Sequence, residues 1–284
     1  MELTPAAQQL LTEPLTRRLQ YVRRRRRIRY ANADRFLSRT EHLHHHQYEH
    51  RSLCLSLTGE QWYGKTTLLH WLHDQALRQP GRGVPSLRID VTAQWTLTSL
   101  YNACLKGLGQ PIGSRGDPDF KLDFLRDTLA KKKTSLIIMD EFHDVRRCQP
   151  RQLPVILSGL RALCNLPGIT VVIAGLPEVE NTLRNDPQLS SRFERHQLTR
   201  WKEGPEYYAY LAAMLSDFPL PHTSELLDPD STLGAKLLHL GRHRLGAFSI
   251  ILCEAACLTL EAQRLSVSAA DIQRAATQFW NGHE

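Results

Sequence analysis

The sequence predicts an α/β fold: a parallel sheet sandwiched by helices, followed by an all-helical segment and preceded by a basic helical extension. Three observations carry this reading. From residue 51 to about residue 203, short apolar runs alternate with helix-period segments, and strands alternating with helices imply a parallel sheet covered on both faces. The first apolar run breaks into Gly59-Glu60-Gln61-Trp62-Tyr63-Gly64-Lys65-Thr66, a glycine loop set between a strand and a helix. From residue 204 onward the pattern is helical throughout.

In order along the chain, residues 1–50 read as helical. Leu11, Leu15, Leu19 and Val22 recur at helical spacing, and Tyr30, Phe36 and Leu43 continue into a second helix. The stretch EHLHHHQYEH (41–50) gathers histidines without the cysteines or carboxylates that would complete a metal site, and reads as a solvated segment. The strands are SLCLSLT, SLRIDV (86–91), SLIIMD (135–140), ITVVIAG (169–175) and ERHQLT (194–199). Between them lie helices over the glycine loop's Leu68–Leu72 segment, TLTSLYNACLKGLG ended by Gly109, FKLDFLRDTLAKKK, LPVILSGLRALCNL and EVENTLRND. GPEYYAYLAAMLSDF, STLGAKLLHLG, LGAFSIILCEAACLTLEAQ and SAADIQRAATQFW complete the helical end, the last N-capped by Ser268. The expected division is a basic extension (1–50), a sheet-containing core (51–203) and a helical lid (204–284).

Composition bounds the function. The 284 residues allow a sizeable core, and no apolar run approaches the roughly 18 residues that span a membrane. The N-terminus contains acids and has no apolar signal core, so a cytoplasmic protein with no membrane partner is expected. The six cysteines form no C-x-x-C pair and read as reduced core thiols. The formal charge of +7 is concentrated in RRLQYVRRRRRIRY, which points to a polyanionic partner.

The glycine loop carries the chemistry. It matches G-x-x-x-x-G-K-[ST] without a gap, in the strand-to-helix context that gives the motif its meaning. The glycines let backbone N–H groups converge on phosphate oxygens, and the helix N-terminus adds its dipole. ATP and Mg²⁺ are the expected ligands. Lys65 neutralises the β- and γ-phosphates, Thr66 ligates the metal, and Thr67 completes the loop. SLIIMDEFHD ends a strand in Asp140-Glu141. Asp140 would reach the magnesium through water, and Glu141 would activate a water in line with the γ-phosphate. That pair argues for a hydrolase over a small-molecule kinase.

GEQWYGKTT, IIMDEFHDV, LRALCNLPGITVVIAGLPEVENTL, QLSSRFERHQLTRWKEGPEYYAYLAAMLSDFPLP and the basic RRRRRIRYANADRFLSRTEHL together resemble the TniB/TnsC family of transposition AAA+ ATPases, over roughly residues 20–260. The resemblance implies a P-loop AAA+ core that binds and hydrolyses ATP. It also implies a head-to-tail homo-oligomer or filament on duplex DNA, and a role connecting a target-selecting protein to the transposase of the same transposon. The superfamily's sensor at the end of the fourth strand is usually polar. Here Gly175 and Leu176 stand there, so that sensor is missing or displaced to Glu178. An arginine finger would be Arg192 first and Arg195 second, and a lid sensor Arg242 or Arg244. For DNA phosphates the candidates are Arg23–Arg27 with Arg29, and Lys131–Lys133, which equally suit a helix C-terminus. Two other readings stay open: an ATP-binding adaptor that barely hydrolyses, and a loader-type or signalling AAA+ ATPase acting on a protein.

Overall fold

The computed structural model describes residues 2–45, 53–78, 85–92, 95–111, 117–221, 224–228 and 230–283. Its strands are β1 (Cys54–Thr58), β2 (Ser86–Asp90), β3 (Leu136–Asp140), β4 (Thr170–Gly175) and β5 (Phe193–Gln197). They form one sheet in the order β2-β3-β4-β1-β5, parallel at every pairing. The helices are α1 (Pro5–Gln9), α2 (Leu15–Arg23), α3 (Ala31–His45), α4 (Lys65–Leu77), α5 (Leu97–Gly107), α6 (Pro118–Lys132), α7 (Gln152–Cys164), α8 (Glu178–Arg184), α9 (Pro187–Ser190), α10 (Pro205–Ser216), α11 (Leu233–Leu240), α12 (Leu245–Glu261) and α13 (Ala269–Asn281). The expected α/β sandwich and helical end are both present, and none of the described helices is long and apolar enough to cross a membrane.

Local chemistry sets the element ends. Every residue of β1, β3 and β4 is buried, as a parallel sheet with helices on both faces requires. β5 is an edge strand and carries Glu194, Arg195 and His196, polar residues that discourage further pairing. Gly109 stops α5 at φ 73°, its N–H bonded to Lys106 O. Ser268 caps α13 in a reciprocal box with Asp271. The leucine spacing at the N-terminus does not make one helix. Pro14 has no N–H and interrupts the chain between a 3₁₀ turn and α2.

The chain forms two compact units. One, Asn32–Leu198, holds the sheet and α4 to α9. Its central strands bury Ile137, Met139, Val171 and Ile173 beneath α5 and α7. The other joins Met1–Ala31 to Thr199–Glu284 and is helical. In it α2 packs on α12, and Tyr30, Trp201, Tyr210 and Phe248 meet in tilted and edge-to-face pairs at centroid distances of 5.3 Å (Tyr30–Trp201), 5.2 Å (Trp201–Tyr210) and 5.8 Å (Tyr210–Phe248). The basic segment read as one extension thus contributes α1 and α2 to the helical unit and nearly all of α3 to the sheet unit. Of the histidine cluster, His44 is buried and bonded to Ser135 Oγ at 2.6 Å; residues 46–50 lie outside the described residues.

Candidate nucleotide site

The glycine loop leaves the carboxyl end of β1, and the parallel order brings two other strand ends beside it. β4 lies next to β1 and β3 lies next to β4, so Gly175 sits between the loop and Asp140. Backbone bonds anchor the loop: Gly59 N–H reaches Gly175 O at 3.3 Å, and Leu198 N–H reaches Thr58 O at 2.8 Å. Gly59 is tightly surrounded: a Cβ there would lie 3.1 Å from Leu198 Cβ and 3.3 Å from Tyr63 Cδ2. Glu60 and Gln61 are exposed, Trp62 turns through the left-handed region (φ 67°), and Tyr63 is buried. Gly64, also left-handed at φ 93°, offers no side-chain cap to α4. The first amides of that helix therefore stay available to an outside acceptor. Thr66 and Thr67 are exposed on its first turn.

Lys65 decides what the loop can hold. Its side chain is buried, and Nζ donates to the Gly59 and Glu60 carbonyls at 2.7 and 2.9 Å. Burial pushes its pKa below the ordinary value, while the charges of Glu141, Asp140 and Glu60 push it back up. A buried ammonium hydrogen-bonded to neutral carbonyls, beside uncapped helix amides, fits an anionic group such as a polyphosphate. The hard oxygen donors of Thr66 and Asp140 fit Mg²⁺. Among the described residues, no group of three His, Cys, Asp or Glu side chains could hold a metal by itself.

Asp140 is 1% exposed, and its Oδ1 accepts the Glu141 N–H at 2.9 Å. Its Oδ2 faces Arg88 Nη2 at 3.5 Å, and the same nitrogen binds Asp90 at 2.8 Å. Arg88 was not singled out from the sequence. The available signal was a cation in the middle of the otherwise strand-like SLRIDV; its partner became legible only when β2 paired with β3 in register Asp90↔Asp140. Glu141 adopts φ 55°, ψ 34°, a left-handed conformation uncommon for a residue with a Cβ, and its side chain is 46% exposed. His143 lies 3.2 Å from Glu141 through Nδ1. This histidine lies within IIMDEFHDV, one of the segments that carry the family resemblance, and nothing in that segment indicates that it would lie against Gly175.

The other predicted residues lie elsewhere. Arg192 precedes β5, its guanidinium Nη1 donating to Cys164 O at 3.3 Å while its backbone carbonyl accepts from Cys54 N–H. It therefore stands at the amino end of β1, about 16 Å of strand from the loop of its own chain. Arg195 pairs with Glu180 at 2.9 Å on the sheet. Glu178 is exposed in the first turn of α8. In the helical unit, Arg242 is left-handed (φ 52°) and stacks over the Trp280 ring at 3.7 Å, and Arg244 immediately precedes α12. Lys133 closes α6 in the left-handed conformation.

The architecture has solved counterparts. The ORC1 protein of Aeropyrum pernix in complex with DNA superposes with a TM-score of 0.67 at 14% identity, over 92% of this chain and 69% of that one. The ORC2 protein of the same organism (ADPNP–ADP complexes) gives 0.61 at 18% identity, over 87% of this chain and 66% of that one. Cdc6p from Pyrobaculum aerophilum gives 0.63 at 15% identity, over 91% and 70%. The chain thus spans about two thirds of the length of these structures, and the likeness establishes an ORC/Cdc6-like fold. No curated protein sequence matches this chain. The profile of the family described as bacterial TniB protein matches residues 18–203. That span takes in the glycine loop, the Asp140–Glu141 turn and all five strands of the sheet, and the chain belongs to the TniB family.

Proposed function

We propose that this chain is an ATP-hydrolysing regulator of DNA transposition. It binds ATP with Mg²⁺, assembles head to tail on duplex DNA, and connects a target-selecting protein to the transposase of the same transposon. The observation that carries the ATPase reading is the buried Lys65 ammonium, hydrogen-bonded to loop carbonyls and within the electrostatic reach of Glu141 and Asp140. Family membership and the DNA-bound ORC1 likeness support the DNA reading.

In this reading the loop amides and Lys65 hold the phosphate oxygens. Thr66 and, through water, Asp140 would hold Mg²⁺, which would supply positive charge beside the phosphates. The Glu141 carboxylate takes a proton from water as the water oxygen bonds to the γ-phosphorus. The bond from that phosphorus to the bridging oxygen breaks, and ADP and phosphate leave. Arg192 is the first choice for a finger because it stands far from its own loop, and a neighbouring subunit's site would receive it. Arg195, already paired with Glu180, is the second. In the lid, Arg244 is favoured over the ring-stacked Arg242.

ATP binding and steady-state turnover, with and without duplex DNA, test the proposal. Lys65→Ala is expected to lose ATP binding. Glu141→Gln is expected to keep ATP and lose turnover by about 10²-fold or more. Unchanged affinity in the first variant would remove the site assignment. Turnover that duplex DNA leaves unaltered would favour an ATPase acting on a protein.

A further inference from the structure

We infer that His143 positions the Glu141 carboxylate and occupies the place from which a polar side chain at the end of β4 would otherwise report on the bound nucleotide. The inference rests on the ATPase reading of the site. Its first support is steric. A Cβ added at Gly175 would lie 2.7 Å from Val179 Cγ2, 3.0 Å from His143 N and 3.3 Å from His143 Nδ1. A side chain at Gly175 would meet Val179 first and then the backbone and ring of His143. The sensor absent from the end of β4 is supplied from the turn after β3.

The second support is polar. His143 is 17% exposed, and its Nδ1 lies 3.2 Å from Glu141 Oε2 without the alignment of a hydrogen bond. Its Nε2 lies 3.9 Å from Asp144 Oδ1. A buried ring nitrogen without an aligned partner is costly, and a small rotation of the half-exposed Glu141 side chain would align this one. The left-handed backbone at Glu141 holds the carboxylate at that turn, and such strained positions concentrate at working sites.

The third support is connectivity. Gly175 O accepts the N–H of Gly59, the first glycine of the loop, at 3.3 Å. A shift of the loop is therefore transmitted through one peptide to the surface on which His143 rests.

The experiment compares single-turnover hydrolysis and ATP affinity in the full chain for wild type, Glu141→Gln, His143→Ala and His143→Asn. His143→Ala is expected to slow turnover by about 10- to 100-fold, the usual effect of losing a group that orients a working carboxylate, with ATP affinity nearly unchanged. His143→Asn, which keeps a polar group near the Nδ1 position, is expected to recover part of the rate. Adding His143→Ala to Glu141→Gln should cost nothing further. Ring ¹⁵N shifts of His143 should move in Glu141→Gln. Equal losses of affinity and turnover, no recovery by Asn, or unmoved ¹⁵N shifts would each overturn the inference. An active wild type with an equally active His143→Ala sinks the inference alone. A wild type that binds ATP and never turns it over sinks the hydrolase reading, and this inference with it.

Discussion

Gly175 shows how much one missing Cβ controls. Its neighbours within 3.3 Å are Val179 and His143, from two different elements. Gly175→Ala forces one of them to move, and overpacking of this kind costs roughly 1–3 kcal/mol. Thermal unfolding of the variant should show that loss. Where His143 is the group that moves, turnover should fall further than ATP affinity, because His143 faces Glu141 and not Lys65. A variant as stable and as active as wild type would mean that the turn after β3 gives way freely. Gly175 was legible in the sequence as a sensor position without a side chain. The histidine filling it was not, because that contact exists only where β3 and β4 lie side by side.

At the scale of the element, the arginine run divides into two sets with different work. Arg24 and Arg26 both reach Asp217, at 2.7 and 2.9 Å, and Arg23 reaches Glu254 at 3.0 Å. Arg26 is 8% exposed, so this part of the run ties α2 to the helical unit. Arg25, Arg27 and Arg29 are exposed. Deleting the N-terminal segment would confound the two roles, and point variants separate them. Asp217→Ala leaves Arg26 buried without its carboxylate and should destabilise the helical unit by about 3 kcal/mol, read from thermal unfolding by circular dichroism. Burial alone would raise the Asp217 pKa, but hydrogen bonds from Arg24 and Tyr21 and the charges of Arg24 and Arg26 hold it below its ordinary 3.8. The stabilisation is therefore complete above that ordinary value and lost as pH falls through the lower folded one. Wild type should lose stability below about pH 4 more steeply than Asp217→Asn does. Alanine variants at Arg25, Arg27 and Arg29 test the exposed set in duplex binding. If they meet DNA phosphates, each should lower the log–log salt slope of duplex binding by about 0.9. An unaltered slope would assign those side chains to a protein partner.

At the scale of the whole molecule, the sheet separates the glycine loop from the proposed arginine finger. The loop opens at the carboxyl end of β1, and Arg192 stands at the amino end. One chain cannot bring both to one phosphate without losing β1, so a finger at Arg192 requires a second subunit. ATPase activity per molecule should then rise with protein concentration and with duplex DNA. Arginine fingers in well-studied GTPases are worth about 10³–10⁵ in rate, so even a tenth of that would be plain. Arg192→Ala should abolish the rise while each isolated subunit still binds ATP. Mixing it with Lys65→Ala should restore some turnover, since one supplies an intact loop and the other an intact finger. A dead mixture whose members still co-assemble on DNA would move the test to Arg195.

The sequence by itself determined the alternation of strands and helices, the glycine loop and its Lys65, the Asp140–Glu141 turn, and the capping of α13 by Ser268. These are local: each depends on residues within a few positions of one another, through periodicity, φ preference or capping. Tertiary structure decided the rest. Arg88 meets Asp140 because β2 pairs with β3, His143 lies against Gly175 because β3 pairs with β4, and Arg24 and Arg26 meet Asp217 across almost 200 residues of chain. No spacing in the sequence encodes such pairs, because strand order and helix docking are settled by which apolar faces bury together, and the charged side chains take the neighbours that packing leaves them.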